Sequence, residues 1–536
     1  MKKGRGRYIF CGVMLAAAFL LYIGRLAQWQ LLEGSTFEEE AVQSSATYLK
    51  LTGTRGEILD CNGNVLAGNR SVYNAIYSRL SGSNETRNAV VLETVKLLET
   101  LNVPWTDRLP IEIKSGKYQF KTKMTAEIET LKSEDILDLP SSATADECME
   151  SLIERYDLEA YTSPEDIRRI ASVRYGMERA YFSRTNPFVL AKDISIETVE
   201  LLSERSTDLP GIETQVEQTR EYPEGDLAPH IVGTLGAISQ EQYDAAEEAG
   251  NTYSASNVSG YSYTDTVGQS GIESVFESTL RGKNGKESVT TDATGKVTST
   301  TVTEPPEAGD SVWLTIDSNV QRAAVNALAE QIESKPTEDC EAGAVVALDV
   351  NTGGIVAMAS YPNYDPGDFS TIYTEGLQAE LDAALAEIQQ NRSTYETEEA
   401  YNQALANARA TIQFKQWRNK CYQDTYEPGS TFKPITLATA LEEGVVNMNT
   451  TFTCTGSIHV EGWGKAINCS KRAGHGTQTL KVATGNSCNP AFVTMGLKIG
   501  TEAYYRYLKS FGLMETTGID LPAEAEGIFA NEDSFN

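Results

Sequence analysis

The first 27 residues have the charge and hydropathy pattern of a membrane anchor. Lysines and arginines at positions 2, 3, 5 and 7 precede the uncharged stretch YIFCGVMLAAAFLLYIG, and the amphipathic RLAQWQLLEG follows it. A stretch of this length can span a bilayer when flanking Arg and Trp side chains reach the interface. The pattern predicts a cytoplasmic tail over 1–7, a transmembrane anchor over 8–27 and an extracytoplasmic remainder. A cleaved signal peptide is the alternative.

Between residues 28 and 305 the pattern changes repeatedly between helical and strand-like spacing. VVLETVKLLETL has helical spacing, whereas residues 188–300 alternate short strand-like runs with loops. The region ends in the polar, β-branched segment SVTTDATGKVTSTTVTEPPEAGD, which predicts a boundary between two domains. We therefore expect a mixed α/β domain over 28–305.

A different pattern begins at Ser311. VWLTID predicts a strand, SNVQRAAVNALAEQI predicts an amphipathic helix capped by Asp317, and GAVVALDVNTGGIVAMAS predicts two strands joined by a turn at 351–354. This succession predicts a second, α/β domain over 309–536 with a central antiparallel sheet. Apolar residues recur at helical spacing in the Ala-, Glu- and Gln-rich residues 375–416, which predicts an inserted helical hairpin. A solvated, self-packed hairpin is favoured over a coiled-coil partner site.

Charge and cysteine spacing narrow the classes of function. Lys plus Arg is 45 and Asp plus Glu is 75, so the net charge of −30 argues against a nucleic-acid partner. Cysteines at 11, 61, 148, 340, 421, 454, 469 and 488 form no CxxC pair, and with three His a zinc site is poorly supported. Cys454 and Cys469 are candidates for a disulfide, or for two reduced, partly buried thiols.

The segment YEPGSTFKP holds the first candidate chemistry. Pro428 and Gly429 interrupt the preceding structure, so a helix is expected to begin at Ser430 and to end near Gly444. Three residues separate Ser430 from Lys433, which places both side chains on one helical face. A serine hydroxyl becomes a useful nucleophile when a base takes its proton, and a lysine can do so when burial lowers its pKa. An isolated match of this kind is more often an N-capping serine with a solvated lysine.

A second candidate, GNSCNP, follows 57 residues later. Ser487 and Asn489 point the same way if the backbone between them is extended. Ser487 could then relay a proton between Lys433, Ser430 and a leaving amine, and Asn489 could bind a substrate amide and fix Lys433. Taken alone, a turn followed by a helix cap explains the motif better. His230 and His475 are interpreted as structural residues.

Together the two motifs resemble the SxxK and SxN elements of penicillin-recognising serine acyltransferases. The surrounding segments RGEILDCNGNVLA, REYPEGDLAPHIVGTLG, GIESVFESTLRGKNG, GHGTQTLKVATGNSCNPAF and FGLMETTGIDLPAEAEG resemble class B penicillin-binding proteins of the PBP2-like and SpoVD-like branches. The resemblance covers the whole chain. It implies an α+β multidomain protein: an anchor, a pedestal (dimerisation) domain and a penicillin-binding transpeptidase domain.

The sequence departs from the family pattern in two places. Cys61 stands where the pedestal motif usually has a basic residue. The third family motif, Lys-Thr/Ser-Gly on an edge strand, does not occur after Asn489. In the family that strand supplies part of the carboxylate site and one oxyanion-hole N–H, the other being that of the nucleophile. We therefore expect an incomplete transpeptidase domain that labels poorly with fluorescent penicillin, and good labelling when the third motif is added.

The resemblance implies a D,D-transpeptidase with Ser430, Lys433, Ser487 and Asn489 as its catalytic residues. Ser430 would attack the peptide bond between the last two D-alanines of a peptidoglycan stem peptide, and β-lactams would acylate the same hydroxyl. No metal or organic cofactor is implied. The expected partners are a SEDS-family glycosyltransferase and other cell-wall synthesis proteins, at the outer face of the cell membrane. A β-lactamase or β-lactam receptor, and a non-catalytic membrane-anchored scaffold, are the alternatives.

Overall fold

The computed structural model describes most of the chain after the predicted anchor. The described residues are 46–529 without 79–82, 122–123, 184–185, 255, 264, 292–296, 335–339, 369 and 396, together with the single residues 12, 14, 19 and 22. The predicted tail, and the predicted anchor apart from those four residues, lie outside this set. Among the helices that the structure describes, none has the length and apolarity to cross a membrane.

Strands occur throughout the described residues. They are β1 (Ala46–Leu51), β2 (Ile58–Leu59), β3 (Val65–Tyr77), β4 (Ile111–Lys114), β5 (Lys117–Phe120), β6 (Phe188–Ile194), β7 (Ile212–Glu221), β8 (Leu235–Ala237), β9 (Thr266–Gly268), β10 (Gly285–Thr291), β11 (Val297–Glu304), β12 (Val312–Trp313), β13 (Gly343–Leu348), β14 (Ile355–Tyr361), β15 (Thr451–Cys454), β16 (Ser457–Ile458), β17 (Ile467–Asn468) and β18 (Gly476–Thr479).

Helices lie between these strands and dominate the end of the chain. They are Asn84–Thr100, Thr125–Lys132, Ala145–Tyr156, Pro164–Arg179, Ile196–Glu204, Pro229–Val232, Gln240–Glu248, Gly271–Val275, Glu277–Leu280, Ser318–Glu333, Glu375–Gln390, Glu398–Trp417, Lys433–Glu442, Leu480–Gly485, Asn489–Ile499 and Thr501–Ser510.

The first half of the described chain is a mixed α/β structure. Its main sheet has the order β12-β2-β3-β6, and β7 pairs along the other side of β3. Strands β3 and β6 share an apolar core with the helix Asn84–Thr100, which buries Val91, Val95 and Leu98. A second core lies where the helices Ala145–Tyr156 and Pro164–Arg179 meet β4 and β5.

The segment predicted as a domain boundary is instead built into a sheet. Its residues form β10 and β11, which pair antiparallel with each other, and β10 also pairs with β1. The sequence interpretation gave weight to the polar character of the segment. Its alternating Thr and Val residues are strong strand formers, and an exposed sheet accepts polar side chains.

The second half begins as the sequence predicts. Asp317 caps the helix Ser318–Glu333 by accepting hydrogen bonds from Asn319 N and Val320 N. Strands β13 and β14 form the expected antiparallel hairpin, and Gly353 has a positive φ of 76° in its turn. In the part of the chain that the structure describes, this sheet has these two strands. Two helices, Glu375–Gln390 and Glu398–Trp417, occupy the predicted helical insertion and enclose Leu377, Leu381 and Ile412.

The two halves are joined through the turn between β2 and β3. The Asp60 carboxylate is fully buried and accepts hydrogen bonds from Asn62 N and Asn64 N at 2.8 Å, and from Ser318 N at 3.1 Å. Burial alone would raise the pKa of Asp60, but hydrogen bonds from Ser318 and Asn64 outweigh it and hold the pKa well below its usual range. Strand β12 also pairs parallel with β2. One carboxylate therefore orders a turn of the first half and the start of a helix in the second.

A histidine makes a second contact between the halves. His230, in the helix Pro229–Val232, is buried and its Nε2 lies 2.8 Å from the carbonyl oxygen of Gln416. Burial lowers the pKa of His230 to about 4, so the ring is neutral at pH 7. This position fits the structural role expected from the sequence.

We expect Asp60→Ala to lower the free energy of unfolding by about 2 to 3 kcal/mol, because it leaves several buried N–H groups without an acceptor. Since the folded-state pKa is depressed, the stabilisation is complete above about pH 4 and is lost as the pH falls through the folded pKa. Chemical unfolding at neutral and at acidic pH measures both effects.

Asp349→Ala is the matched control for this variant. Asp349 also orders a hairpin turn, accepting from Asn351 N and Thr352 Oγ1 at 2.9 Å, but those partners lie within its own exposed turn. Its cost should be clearly smaller. Equal costs for the two variants would contradict the role of Asp60 between the halves.

Candidate active site

The SxxK segment begins with a tight turn that becomes a helix. Residues Gly429–Phe432 form a 3-10 turn, and the SxxK helix (Lys433–Glu442) continues from it with Pro434 in its first turn. Gly429 has a φ of 52°, which favours glycine directly before the serine. Gly444, with a φ of 66°, follows the end of the helix as predicted. Ser430 is exposed and Lys433 is half-buried one turn later.

The SxN segment has a different backbone from the one assumed in the sequence analysis. Ser487 has a φ of 49°, in the left-handed region, so the segment is not extended. Cys488 precedes the SxN helix (Asn489–Ile499), whose first residue is Asn489. The left-handed turn followed directly by a helix, rather than an extended strand, directs Ser487 and Asn489 to the same place.

Hydrogen bonds bring the four predicted residues together. The Lys433 amine donates to Ser487 O at 2.8 Å, to Ser487 Oγ at 2.9 Å and to Asn489 Oδ1 at 2.6 Å. Ser487 Oγ in turn donates to Ser430 Oγ at 3.3 Å. Ser487 is thus the bridge between the amine and the Ser430 hydroxyl, and Asn489 holds the amine from its other side.

The electrostatic setting of Lys433 favours a neutral amine more than water does. Burial lowers the pKa of Lys433, and the nearby thiols of Cys469 and Cys488 oppose part of that shift. The hydrogen-bond partners of the amine are uncharged oxygens. The amine also lies 5.3 Å from the centre of the buried Phe492 ring. An amine in this setting can act as a base for a neighbouring hydroxyl.

Two family models match the chain in succession. The model described as "Penicillin-binding Protein dimerisation domain" matches residues 50–314, and the model described as "Penicillin binding protein transpeptidase domain" matches residues 343–536. The chain belongs to the class B penicillin-binding proteins. In that family frame, the joined turn at Asp60 lies in the dimerisation domain, and the SxxK and SxN residues lie in the transpeptidase domain.

Curated relatives and solved structures agree with this family. The chain is 24% identical to the peptidoglycan D,D-transpeptidase MrdA of Acinetobacter baumannii over 531 residues, which are 98% of this chain and 61% of that protein. It is 32% identical to stage V sporulation protein D of Bacillus subtilis over 328 residues, which are 60% of this chain and 40% of that protein. The chain therefore spans between 40% and 61% of the length of these two relatives.

The fold likeness is seen in a complex between a penicillin-binding protein (PBP2) and MreC from Helicobacter pylori. That comparison has a TM-score of 0.56 at 21% identity, and it covers 91% of this chain and 70% of that chain. A structure titled for the coordination of polymerization and crosslinking by a peptidoglycan synthase complex gives a TM-score of 0.53 at 24% identity, covering 99% and 71%.

One group of residues beside the SxN segment was not found from the sequence. Cys454, Cys469, Cys488 and His475 converge, with one sulfur or nitrogen atom of each within 4.8 Å of the others. All three of these cysteines are free thiols, so the disulfide considered for Cys454 and Cys469 is absent and the reduced, buried alternative holds. The sequence search relied on CxxC spacing, and separations of 15, 6 and 13 residues gave no such signal.

Glycines shape the loop that carries these residues. Gly474 has a φ of 79°, and a Cβ there would lie 2.3 Å from the carbonyl oxygen of Cys454. Gly476 has a similar φ of 69°, but a Cβ would meet nothing within 4 Å. The two positions therefore separate backbone strain from steric exclusion.

We expect Gly476→Ala to cost about 1 to 2 kcal/mol through its left-handed backbone. Gly474→Ala should cost several kcal/mol more than that because the added methyl group displaces the backbone at Cys454. Chemical unfolding of the two variants measures the difference. Similar losses in both would show that the loop yields easily at Gly474.

Proposed function

We propose that this protein is a serine D,D-transpeptidase that cross-links peptidoglycan stem peptides through an acyl-enzyme at Ser430. The observation that carries the proposal is the continuous hydrogen-bonded path from Ser430 Oγ through Ser487 Oγ to the Lys433 amine. Relatives named as peptidoglycan D,D-transpeptidases support the choice of substrate.

The protonation state of Lys433 sets the direction of this path. An ammonium group donates to all three of its acceptors, and Ser487 Oγ then donates to Ser430 Oγ. A neutral amine donates to Ser487 O and Asn489 Oδ1 and accepts a proton from Ser487 Oγ. Ser487 Oγ is then free to accept from Ser430 Oγ, which is the direction that a nucleophilic serine requires.

The reaction proceeds in two acyl transfers. Ser430 Oγ attacks the carbonyl carbon between the last two D-alanines while its proton passes through Ser487 to Lys433. The carbon–nitrogen bond breaks, and the proton returns along the same path to the nitrogen of the leaving D-alanine. The amine of a neighbouring stem peptide then attacks the ester, gives up its proton to Lys433 and restores Ser430. A β-lactam acylates Ser430 by the same first step, because its strained amide resembles the scissile bond.

Asn489 acts as a positioning residue in this scheme. Its Oδ1 accepts from the Lys433 amine and its Nδ2 donates to the Asn468 carbonyl oxygen at 2.8 Å. An amide NH2 group carries two donors, so one hydrogen of Nδ2 is available to a substrate carbonyl.

The proposal extends to location and partners. The basic leader and apolar run of residues 1–27 would hold the protein in the cell membrane as a single-pass anchor, with the site outside. The dimerisation domain would contact a SEDS-family glycosyltransferase and other cell-wall synthesis proteins. Solved relatives in complex with MreC and in a peptidoglycan synthase complex support partners of this kind.

Ser430→Ala should abolish covalent labelling by fluorescent penicillin, because it removes the hydroxyl that forms the ester. The measurement uses in-gel fluorescence on a version of the protein that also carries the Lys-Thr/Ser-Gly motif of the family. Thr431→Ala is the matched control, since its neighbouring hydroxyl donates to Pro428 O and should leave labelling intact. Persistent labelling of Ser430→Ala would refute the assignment. Folded wild-type protein that never labels would favour the scaffold alternative.

The rate of acylation should rise with pH through a pKa below the usual value for lysine, because the neutral form of Lys433 is the base. Asn489→Asp should move this rise to higher pH, since a carboxylate beside the amine stabilises its charged form. Stopped-flow acylation by a chromogenic β-lactam measures both profiles. A profile for Asn489→Asp that coincides with that of the wild type would contradict the role of Lys433 as base.

A further inference from the structure

Three thiols and one imidazole meet in the core directly behind the SxN segment. Cys454 ends β15, Cys469 follows β17, His475 precedes β18, and Cys488 precedes the SxN helix. The three thiols are at most 2% exposed, whereas His475 is half-buried. Four chain segments that are distant in sequence each contribute one donor atom to this cluster.

A simpler explanation treats the thiols as small apolar residues of the surrounding core, which also contains Phe452, Leu480 and Met495. The imidazole argues against it, because His475 turns its Nδ1 toward Cys469 Sγ at 3.5 Å instead of toward water. Cys469 Sγ also accepts hydrogen bonds from the backbone N–H groups of Lys471 and Asn489. Backbone donors aimed at a cysteine sulfur stabilise a thiolate and are typical of metal-bound cysteine.

The separations suit a tetrahedral ion. With bond lengths of about 2.3 Å to sulfur and about 2.0 Å to nitrogen, a tetrahedral zinc site has sulfur–nitrogen edges of about 3.5 Å and sulfur–sulfur edges of about 3.8 Å. The Cys469–His475 separation of 3.5 Å already equals the first value. All four donor atoms lie within 4.8 Å of one another, so a small contraction closes the rest.

We propose that Cys454, Cys469, His475 and Cys488 bind one zinc ion in a closed, structural site. Three thiolates and one imidazole form a donor set that zinc favours, and four protein ligands leave no open position for catalysis by the metal. Each thiol binds as a thiolate, so binding releases protons and weakens at acidic pH. This proposal replaces the sequence expectation that zinc is poorly supported.

The site would brace the SxN segment from both of its sides. Cys488 lies between Ser487 and Asn489 in the chain, and Cys469 follows Asn468, whose carbonyl oxygen accepts from Asn489 Nδ2. One ion thus joins the two segments that hold Asn489. This structural role does not depend on whether the chain catalyses transpeptidation.

Metal content of the purified full chain, in detergent and with reductant, tests the proposal. We expect about one equivalent of zinc by mass spectrometry of the metal. Titration of the zinc-free protein with Co²⁺ alone should saturate at one equivalent and give the visible bands of tetrahedral, thiolate-bound cobalt, which added zinc removes. Reduced, folded wild-type protein that gives no such bands would overturn the proposal, and this measurement needs no variant.

Variants locate the ligands. Cys469→Ser and His475→Ala should each lower zinc content and change the cobalt bands. Cys148→Ser is the control, because Cys148 is an equally buried thiol in the core of the first half and should retain the ion. Unchanged zinc in Cys469→Ser would place the ion elsewhere. A peptide linking Cys454 to Cys469 in a non-reduced digest of the isolated protein would favour a disulfide and contradict the metal site.

Discussion

The chemistry available to this protein depends on one amine held among uncharged oxygens. Lys433 is half-buried, and its amine is bound by a serine carbonyl, a serine hydroxyl and an asparagine carbonyl. Each contact orients the amine, and none supplies the negative charge that would fix it as an ammonium. A carboxylate in any of these positions would give a stronger contact and a weaker base. The site therefore gives up electrostatic stabilisation of Lys433 in exchange for basicity near Ser430.

This arrangement depends on segments that are distant in sequence. The SxxK helix supplies Ser430 and Lys433, and the SxN helix supplies Asn489 and the ring of Phe492 beneath the amine. Their shared core includes Ala440, Ala491 and Met495, together with the three thiols of the cluster. Movement of the SxN helix would shift Ser487 and Asn489 together, so the packing of this core sets the distance between base and nucleophile.

Local sequence signals predicted much of the fold and of the site. The spacing of Ser430 and Lys433, the cap at Asp317 and the hairpin of β13 and β14 follow from short-range rules, and the structure has each of them. The strands β10 and β11 were misjudged because polarity was given more weight than β-branching. The left-handed backbone at Ser487 and the convergence of four cysteine and histidine donors arise from contacts across the fold, which spacing along the chain does not encode.

The backbone at Ser487 also limits which residues evolution can place there. Serine and threonine are commonly exchanged where a hydroxyl is needed, but a β-branched side chain is strongly disfavoured at a φ of 49°. Glycine would suit the backbone and would remove the bridge between Ser430 and Lys433. Among the residues with an aliphatic hydroxyl, serine alone combines that group with a shape that this turn admits, so genetic drift at this codon is confined by geometry as well as by chemistry.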